Sequence, residues 1–116
     1  MTGRILFISD DVMFWARVRA AAEAASREIV RVDGEAAMEE AYRRGDVAQV
    51  IADLGCRSVD VLAWAARWKA AAPAPELVAF GSHVDEASLV AARNAGFDTV
   101  MPNSRFHRTV GTLIAG

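Results

Sequence analysis

Several kinds of residue and segment are scarce in this chain, and each scarcity excludes a class of protein. The single cysteine, Cys56, rules out a disulfide framework within the chain and suits a reducing compartment. No apolar run approaches the roughly twenty residues that a membrane-spanning helix needs. Residues 1–4 lead directly into a strand-like run, so no signal peptide is expected. These absences predict a soluble cytoplasmic protein with no membrane partner.

The chain also lacks a large excess of positive or negative charge. The 116 residues carry a formal net charge of -2, and the longest run of arginines is Arg43-Arg44. A nucleic-acid-binding module usually carries a basic patch or stripe, so this balance argues against a nucleic-acid partner. The length suits one domain, and we expect residues 1–116 to form a single unit.

The motifs of common catalytic and cofactor sites are missing as well. Where a dinucleotide-binding chain has Gly-x-Gly-x-x-Gly after its first strand, this chain has Ser-Asp-Asp-Val at 9–12. The two histidines, His83 and His107, have no second ligand at metal spacing. No Ser-His-Asp or Cys-His combination is visible. We therefore expect no enzyme activity.

What the chain does contain is a regular alternation of strand-like and helix-like segments. The predicted strands are 4–9, 28–32, 47–53, 76–80 and 98–101, and each is followed by a predicted helix. Connections this short allow only parallel strands with right-handed crossovers. The sequence therefore predicts an α/β protein, a flavodoxin-like doubly wound (βα)5 three-layer sandwich with a five-stranded parallel sheet.

Helix ends and helix faces can be predicted from the same pattern. We expect Gly45 to end the second helix, Ser58 to cap the third, and Ser82 with Asp85 to form a capping box before the fourth. Trp64 and Trp68 share one face of the third helix. Two tryptophans could form a ligand platform, but we favour the interpretation that they cover the sheet.

Two of the predicted strands end in carboxylates. The strand at 47–53 ends in Asp53, and the first strand is followed by Asp10 and Asp11. In open α/β sheets ligands gather at the carboxyl ends of the strands, so these residues predict a small acidic pocket. Asp10 and Asp11 are equally suited to capping the following helix.

With these acids in place, the chain resembles the receiver domains of bacterial two-component response regulators over nearly its whole length. The resemblance makes Asp53 the phospho-accepting position. Asp60, seven residues later, matches a downstream acid of the family, and residues 94–98 match the turn before its fifth strand. The resemblance also implies that two acids after the first strand hold a divalent metal together with Asp53.

Several helper positions depart from the family pattern. Ser9 and Asp10 fall at the two acid positions, although a slip of one residue would place Asp10 and Asp11 there. Gly81 stands where receivers carry a hydroxyl, with Ser82 one residue late. Asn103 replaces the lysine that pairs with the phosphoryl charge.

Each departure weakens phosphoryl transfer, which depends on a metal and a lysine for neutralisation. We expect no required cofactor, and at most weak magnesium binding through Asp10 and Asp53, with Asp11 as a possible helper. The sequence favours a degenerate receiver, or pseudo-receiver, that signals through protein contacts. A genuine receiver phosphorylated on Asp53 in a phosphorelay, and a small flavodoxin-like cofactor-binding protein, remain alternatives.

The resemblance also implies a partner surface formed by the fourth helix, fifth strand and fifth helix, which would contact a kinase or an effector. In the predicted fourth helix, Ala87, Val90 and Ala91 form the core face, which leaves Leu89 and Arg93 outward. Val100 stands where receivers have an aromatic switch residue, so this surface should be fixed. A homodimer through it is a further alternative.

Overall fold

The computed structural model describes residues 3–116, which form five strands and five helices in strict alternation. All strand pairs are parallel, in the order β2-β1-β3-β4-β5. The predicted flavodoxin-like doubly wound architecture is therefore confirmed. Within residues 3–116, no helix is both long enough and apolar enough to cross a membrane. The elements are β1 Arg4–Ile8, α1 Val12–Ala24, β2 Ile29–Val32, α2 Glu35–Arg44, β3 Val47–Asp53, α3 Val61–Lys69, β4 Glu76–Gly81, α4 Glu86–Ala95, β5 Thr99–Pro102 and α5 Asn103–Ala115.

The central strand β3 is an apolar run because helices cover both faces of the sheet. It pairs with β1 on one side and β4 on the other. Successive side chains of a strand point to opposite faces, so Ile51 packs in one apolar layer while Val50 and Ala52 pack in the other. This burial fixes the position of Asp53 at the carboxyl end of the strand.

Two apolar layers lie on the two faces of the sheet, which gives the predicted three-layer sandwich. One layer includes buried residues of α2, α3 and α4, and the other includes buried residues of α1 and α5. In the second layer, the rings of Phe80 and Phe106 stack with centroids 3.9 Å apart. In the first, Trp64 and Trp68 are 4% and 3% exposed, as expected for residues that cover the sheet.

Two predicted helix caps are wrong. The N-cap of α3 is Asp60, whose carboxylate accepts from the N–H of Ala63, whereas Ser58 bonds to Asp10. The N-cap of α4 is Asp85, which accepts from the N–H of Ser88. The Ser82 hydroxyl accepts a long bond from the N–H of Val84, and the N–H of Asp85 donates to the carbonyl oxygen of Ser82, so these residues form no capping box.

The predicted orientation of α4 is also wrong, and with it the assignment of Leu89 to a partner surface. Leu89 is only 7% exposed, whereas Val90, which was expected in the core, is 49% exposed. The reason lies in β4. Gly81 has no side chain, and the Leu89 Cδ2 atom lies 3.6 Å from where a Cβ on Gly81 would be. The leucine side chain therefore packs beside Gly81 on β4.

Candidate functional site

The candidate site lies at the carboxyl ends of β1 and β3. These strands are parallel neighbours, with Ile8 opposite Ala52, so the residues that follow them meet at one edge of the sheet. The connections after β1 and β3 run to opposite faces, which makes this edge the topological switch point of the fold. Asp53, at the end of β3, is 8% exposed. The sequence thus predicted correctly where the acids assemble.

Both carboxylate oxygens of Asp53 accept hydrogen bonds from the protein. The hydroxyl of Ser9 donates to Oδ2 at 2.7 Å, and the N–H of Gly55 donates to Oδ1 at 2.8 Å. Burial raises the pKa of Asp53, and these two hydrogen bonds oppose the rise. The charges of Asp11 and Asp10 add to it. Asp53 is therefore a buried carboxylate that is harder to ionise than a free aspartate.

Ser9 is the residue that ties the site together. Its side chain is fully buried, and its Oγ atom accepts from the N–H of Asp11 at 3.0 Å while donating to Asp53. The sequence identified Ser9 as the replacement for a family acid but did not predict this bridging role. No local signal could have done so, because Asp53 is 44 residues away.

Asp10 is committed to the loop that follows β3. Its Oδ1 accepts from the hydroxyl of Ser58 at 2.6 Å, and its Oδ2 accepts from the N–H of Arg57 at 2.9 Å. The bond from Ser58, followed by that from Arg57, lowers the pKa of Asp10. The carboxylate thus serves as a clamp on residues 57–58.

Asp11 caps α1. Its Oδ1 accepts from the N–H of Met13 at 2.8 Å and from the N–H of Phe14 at 3.3 Å. Of the two roles proposed for Asp11, the structure shows the cap.

The three acids are hydrogen-bonded to different parts of the chain. A magnesium site needs oxygen ligands that converge on one point, yet Asp10, Asp11 and Asp53 each accept from a separate set of protein donors. In the part of the chain that the structure describes, no group of three or more His, Cys, Asp or Glu side chains could hold a metal ion. Weak magnesium binding through Asp10 and Asp53 stays a prediction.

The position of the family hydroxyl is filled by leucine side chains. Gly81 ends β4, and a Cβ placed on it would lie 3.2 Å from the Cβ and 3.3 Å from the Cδ1 of Leu54. A serine or threonine there would force Leu54 to move. Ser82 is exposed and bonds only locally. Leu54 was missed in the sequence because its importance depends on the adjacency of β3 and β4.

The position of the family lysine holds an amide. Asn103 is the first residue of α5, and within residues 3–116 its buried Oδ1 atom has no hydrogen-bond partner. An amide supplies no positive charge that could neutralise a phosphoryl group. Val100, on β5, is partly buried against the layer that contains the tryptophans, so no aromatic ring occupies the switch position.

Comparison with solved structures gives the same fold. The chain superposes with a TM-score of 0.83 on an uncharacterized protein from Neptuniibacter caesariensis, at 14% identity over 97% of this chain and 84% of that one. It matches a CheY-like response regulator receiver domain protein from Methanospirillum hungatei with a TM-score of 0.81, at 14% identity over 98% and 91% of the two chains.

A response regulator from Thermotoga maritima matches over the full length of both chains, with a TM-score of 0.75 and 16% identity. No protein-family model and no curated relative matches the sequence. At such identities the structural likeness establishes the fold alone. The chemistry of the site must therefore be judged from its own residues.

Proposed function

We propose that this receiver-fold chain is a signalling module that acts through protein contacts and does not depend on phosphorylation of Asp53. The observation that carries the proposal is that this carboxylate is buried and both of its oxygens already accept hydrogen bonds. Asp53 is 8% exposed, and its two oxygens accept from Ser9 and Gly55. On this proposal the chain needs no cofactor and has no catalytic role.

The electrostatics of the site support the same conclusion. Phosphoryl transfer to a carboxylate needs positive charge around the transferred group, because negative charge concentrates there in the transition state. Here the lysine position holds Asn103, and the carboxylate of Asp10 accepts a hydrogen bond from Ser58. Loss of a single preorganised donor costs on the order of a hundredfold in rate. The combined losses would leave very slow phosphorylation at most.

The partner surface is the second part of the proposal. We place it on α4, β5 and α5, as in receivers, but with a corrected set of residues. Arg93 is exposed and Val100 is half-buried, whereas Leu89 is replaced in this role by Val90. Val84, just before α4, is 79% exposed and extends the apolar part of this surface. A kinase or effector is the proposed partner, and self-association through the same surface is the alternative.

Incubation with acetyl phosphate and magnesium, followed by intact mass measurement, tests the proposal. We expect no lasting gain of one phosphate. A persistent adduct that disappears in Asp53→Ala would overturn the proposal and favour the genuine receiver. The matched variant is Ser9→Asp combined with Asn103→Lys, which restores the acid and the ammonium at the family positions. A rise in phosphorylation of this variant alone would show that these two residues suppress the reaction.

A further inference from the structure

A cavity of about 640 Å³ lies at the edge of the sheet opposite Asp53, where strands β1, β3 and β4 begin. We call it the Trp68 cavity, and its wall includes Tyr42, Trp68, Ala71, Pro73 and Pro75. Strand β3 runs from Val47, on this wall, to Asp53. At about 3.3 Å per residue, roughly 20 Å separate the cavity from that carboxylate. The cavity is therefore distinct from the acid site, and its size suits a small organic ligand.

Two aromatic rings form a corner of the wall. The ring centroids of Tyr42 and Trp68 are 4.8 Å apart, and the ring planes meet at 68°, which is an edge-to-face arrangement. Alanines and the two prolines provide much of the remaining wall. A third ring can stack on one of two such rings while its edge meets the other, and aromatic pairs favour both contacts. The shape of the cavity therefore favours a flat ligand.

The indole N–H of Trp68 is a hydrogen-bond donor that lacks an acceptor. Trp68 is 3% exposed, and within residues 3–116 its buried Nε1 atom has no hydrogen-bond partner. Trp64, on the same helix, donates its own indole N–H to Glu35 at 2.8 Å. A buried donor without a partner is unfavourable, and most such groups in proteins are satisfied. A ligand with an acceptor oxygen would satisfy the donor that the protein leaves unpaired.

The charges around the cavity favour a neutral ligand. Asp46 lies on the wall, and in the described part of the chain it forms no ion pair, so an anion would be repelled. The features that would attract a cation are already engaged. Arg4 donates to the carbonyl oxygen of Gly45, at the end of α2, at 2.7 Å. The guanidinium of Arg67 lies over the Tyr42 ring, 4.6 Å from its centroid.

We propose that the Trp68 cavity binds a small neutral aromatic molecule that carries a carbonyl oxygen. Its ring packs into the corner of Tyr42 and Trp68, and its oxygen accepts from the Trp68 N–H. Apolar contact then provides most of the affinity, while one hydrogen bond fixes the orientation, as in other small-molecule sites. This inference goes beyond the proposed function because it involves neither Asp53 nor a protein partner.

The test compares two ligands of the same shape. Indanone is a flat bicyclic aromatic ketone, and indane has the same rings without the oxygen. Binding to the full chain is followed by two-dimensional NMR, in which the three tryptophans give separate indole N–H signals. We expect both ligands to shift the amides of Ala48 and Ala72, which line the cavity. Indanone alone should move the Trp68 indole proton downfield, and it should bind about fivefold more tightly than indane.

Two variants locate the site and the hydrogen bond. Trp68→Phe keeps an aromatic ring but removes the N–H, so it should bind indanone and indane with equal affinity, and the missing indole signal identifies Trp68. Ala71→Leu places a larger side chain in the wall and should lower the affinity for indanone about tenfold. Ala70→Leu is its matched control, because Ala70 is exposed, precedes Ala71 and does not line the cavity, and its affinity should not change.

Four results would overturn the proposal: no shifts with millimolar indanone, equal affinity of the unaltered chain for indanone and indane, unchanged affinity in Ala71→Leu, or tighter binding of aminoindane, the protonated amine of the same shape, than of indanone. None of them depends on whether Asp53 is phosphorylated. Asp53→Asn, tested in parallel, should bind indanone as the unaltered chain does, so failure here and failure of the proposed function can be told apart.

Discussion

Asp53 carries a negative charge that its surroundings compensate only in part. Burial raises its pKa, the bonds from Ser9 and Gly55 lower it, and Asp11 and Asp10 raise it again. Since its folded pKa lies above the unfolded value, the native state holds a proton more strongly than the unfolded state. The free energy of unfolding therefore falls as pH rises from the ordinary aspartate range through the folded pKa of Asp53.

Asp53→Asn should consequently raise the free energy of unfolding at pH 7, because a neutral amide suffers no penalty for burial of charge. The gain should shrink as pH is lowered and vanish below the ordinary aspartate pKa, where the native carboxyl is neutral too. Urea denaturation of both proteins at pH 7 and at pH 3, without metal, measures the difference.

Ser9→Ala serves as the control. It leaves the buried carboxylate with one donor fewer and should lower stability by about 1–3 kcal/mol, whereas in the Asp53→Asn background the same change should cost less. A lower stability of Asp53→Asn at pH 7 would instead mean that the hydrogen bonds from Ser9 and Gly55 outweigh the burial of charge.

Asp10 and Asp53 show what could and could not be predicted at this scale. The sequence predicted that both lie at one edge of the sheet, since strand ends follow from apolar runs. It did not predict that their pKa values move in opposite directions. Asp10 accepts from Ser58, which is 48 residues away, and Asp53 is buried beside Ser9. Such partners depend on which loops come into contact in the fold, and residues near each aspartate in the sequence do not indicate those contacts.

Among the helices, the N-caps illustrate how tertiary contacts select between equally suitable residues. Serine and aspartate are both favoured N-caps, and the third helix has Ser58 and Asp60 before it. Ser58 is engaged by Asp10, so Asp60 accepts from the N–H of Ala63 at 3.2 Å. The helix itself was predictable from its apolar spacing, but the residue that caps it was not.

Asp60→Ala should lower the free energy of unfolding by about 1 kcal/mol, because the first turn of α3 loses its side-chain acceptor. Asp60→Asn keeps an oxygen in the same place and should lower the free energy of unfolding by only a few tenths of a kcal/mol. Thermal and chemical denaturation of the pair measure the effect. Equal losses in both variants would indicate that the charge of Asp60, and not its hydrogen bond, supports the helix.

The wrong face of α4 has a different origin. Its alanines and its one valine, Val90, are spaced so that several faces qualify as apolar, and nothing in the sequence favours Leu89 for the core. In the structure Leu89 packs beside Gly81 of β4, next to Leu54, which follows β3. Where a helix has a single wide apolar face, as α3 does with Trp64 and Trp68, the same method succeeds.

At the scale of the molecule, one sheet joins two apolar layers that have no other common element. Because every strand contributes to the sheet and β3 buries residues in both layers, neither layer can be exposed without disrupting the other. The whole chain should therefore unfold as one cooperative unit.

Tryptophans in both layers make this testable. Trp15 packs with Phe7 in the α1 and α5 layer, and Trp64 with Trp68 in the other. In the Trp15→Phe variant, and separately in Trp64→Phe/Trp68→Phe, the fluorescence midpoint in urea should coincide with the circular-dichroism midpoint of the same variant.

Phe106→Ala in one layer should cost about 3–5 kcal/mol and shift both signals together. Separate midpoints within one variant would instead indicate that the layers unfold independently.

The short edge strands of the sheet have a consequence for behaviour at high concentration. β2 and β5, which lie at the two edges, are four residues long each, and β5 ends at Pro102, which has no N–H to donate. A free strand edge is a template on which another chain can add a strand and begin fibril growth. Edges this short offer few hydrogen bonds to an incoming chain. The native protein should therefore resist aggregation by strand addition, and fibrils should form only under conditions that first unfold it.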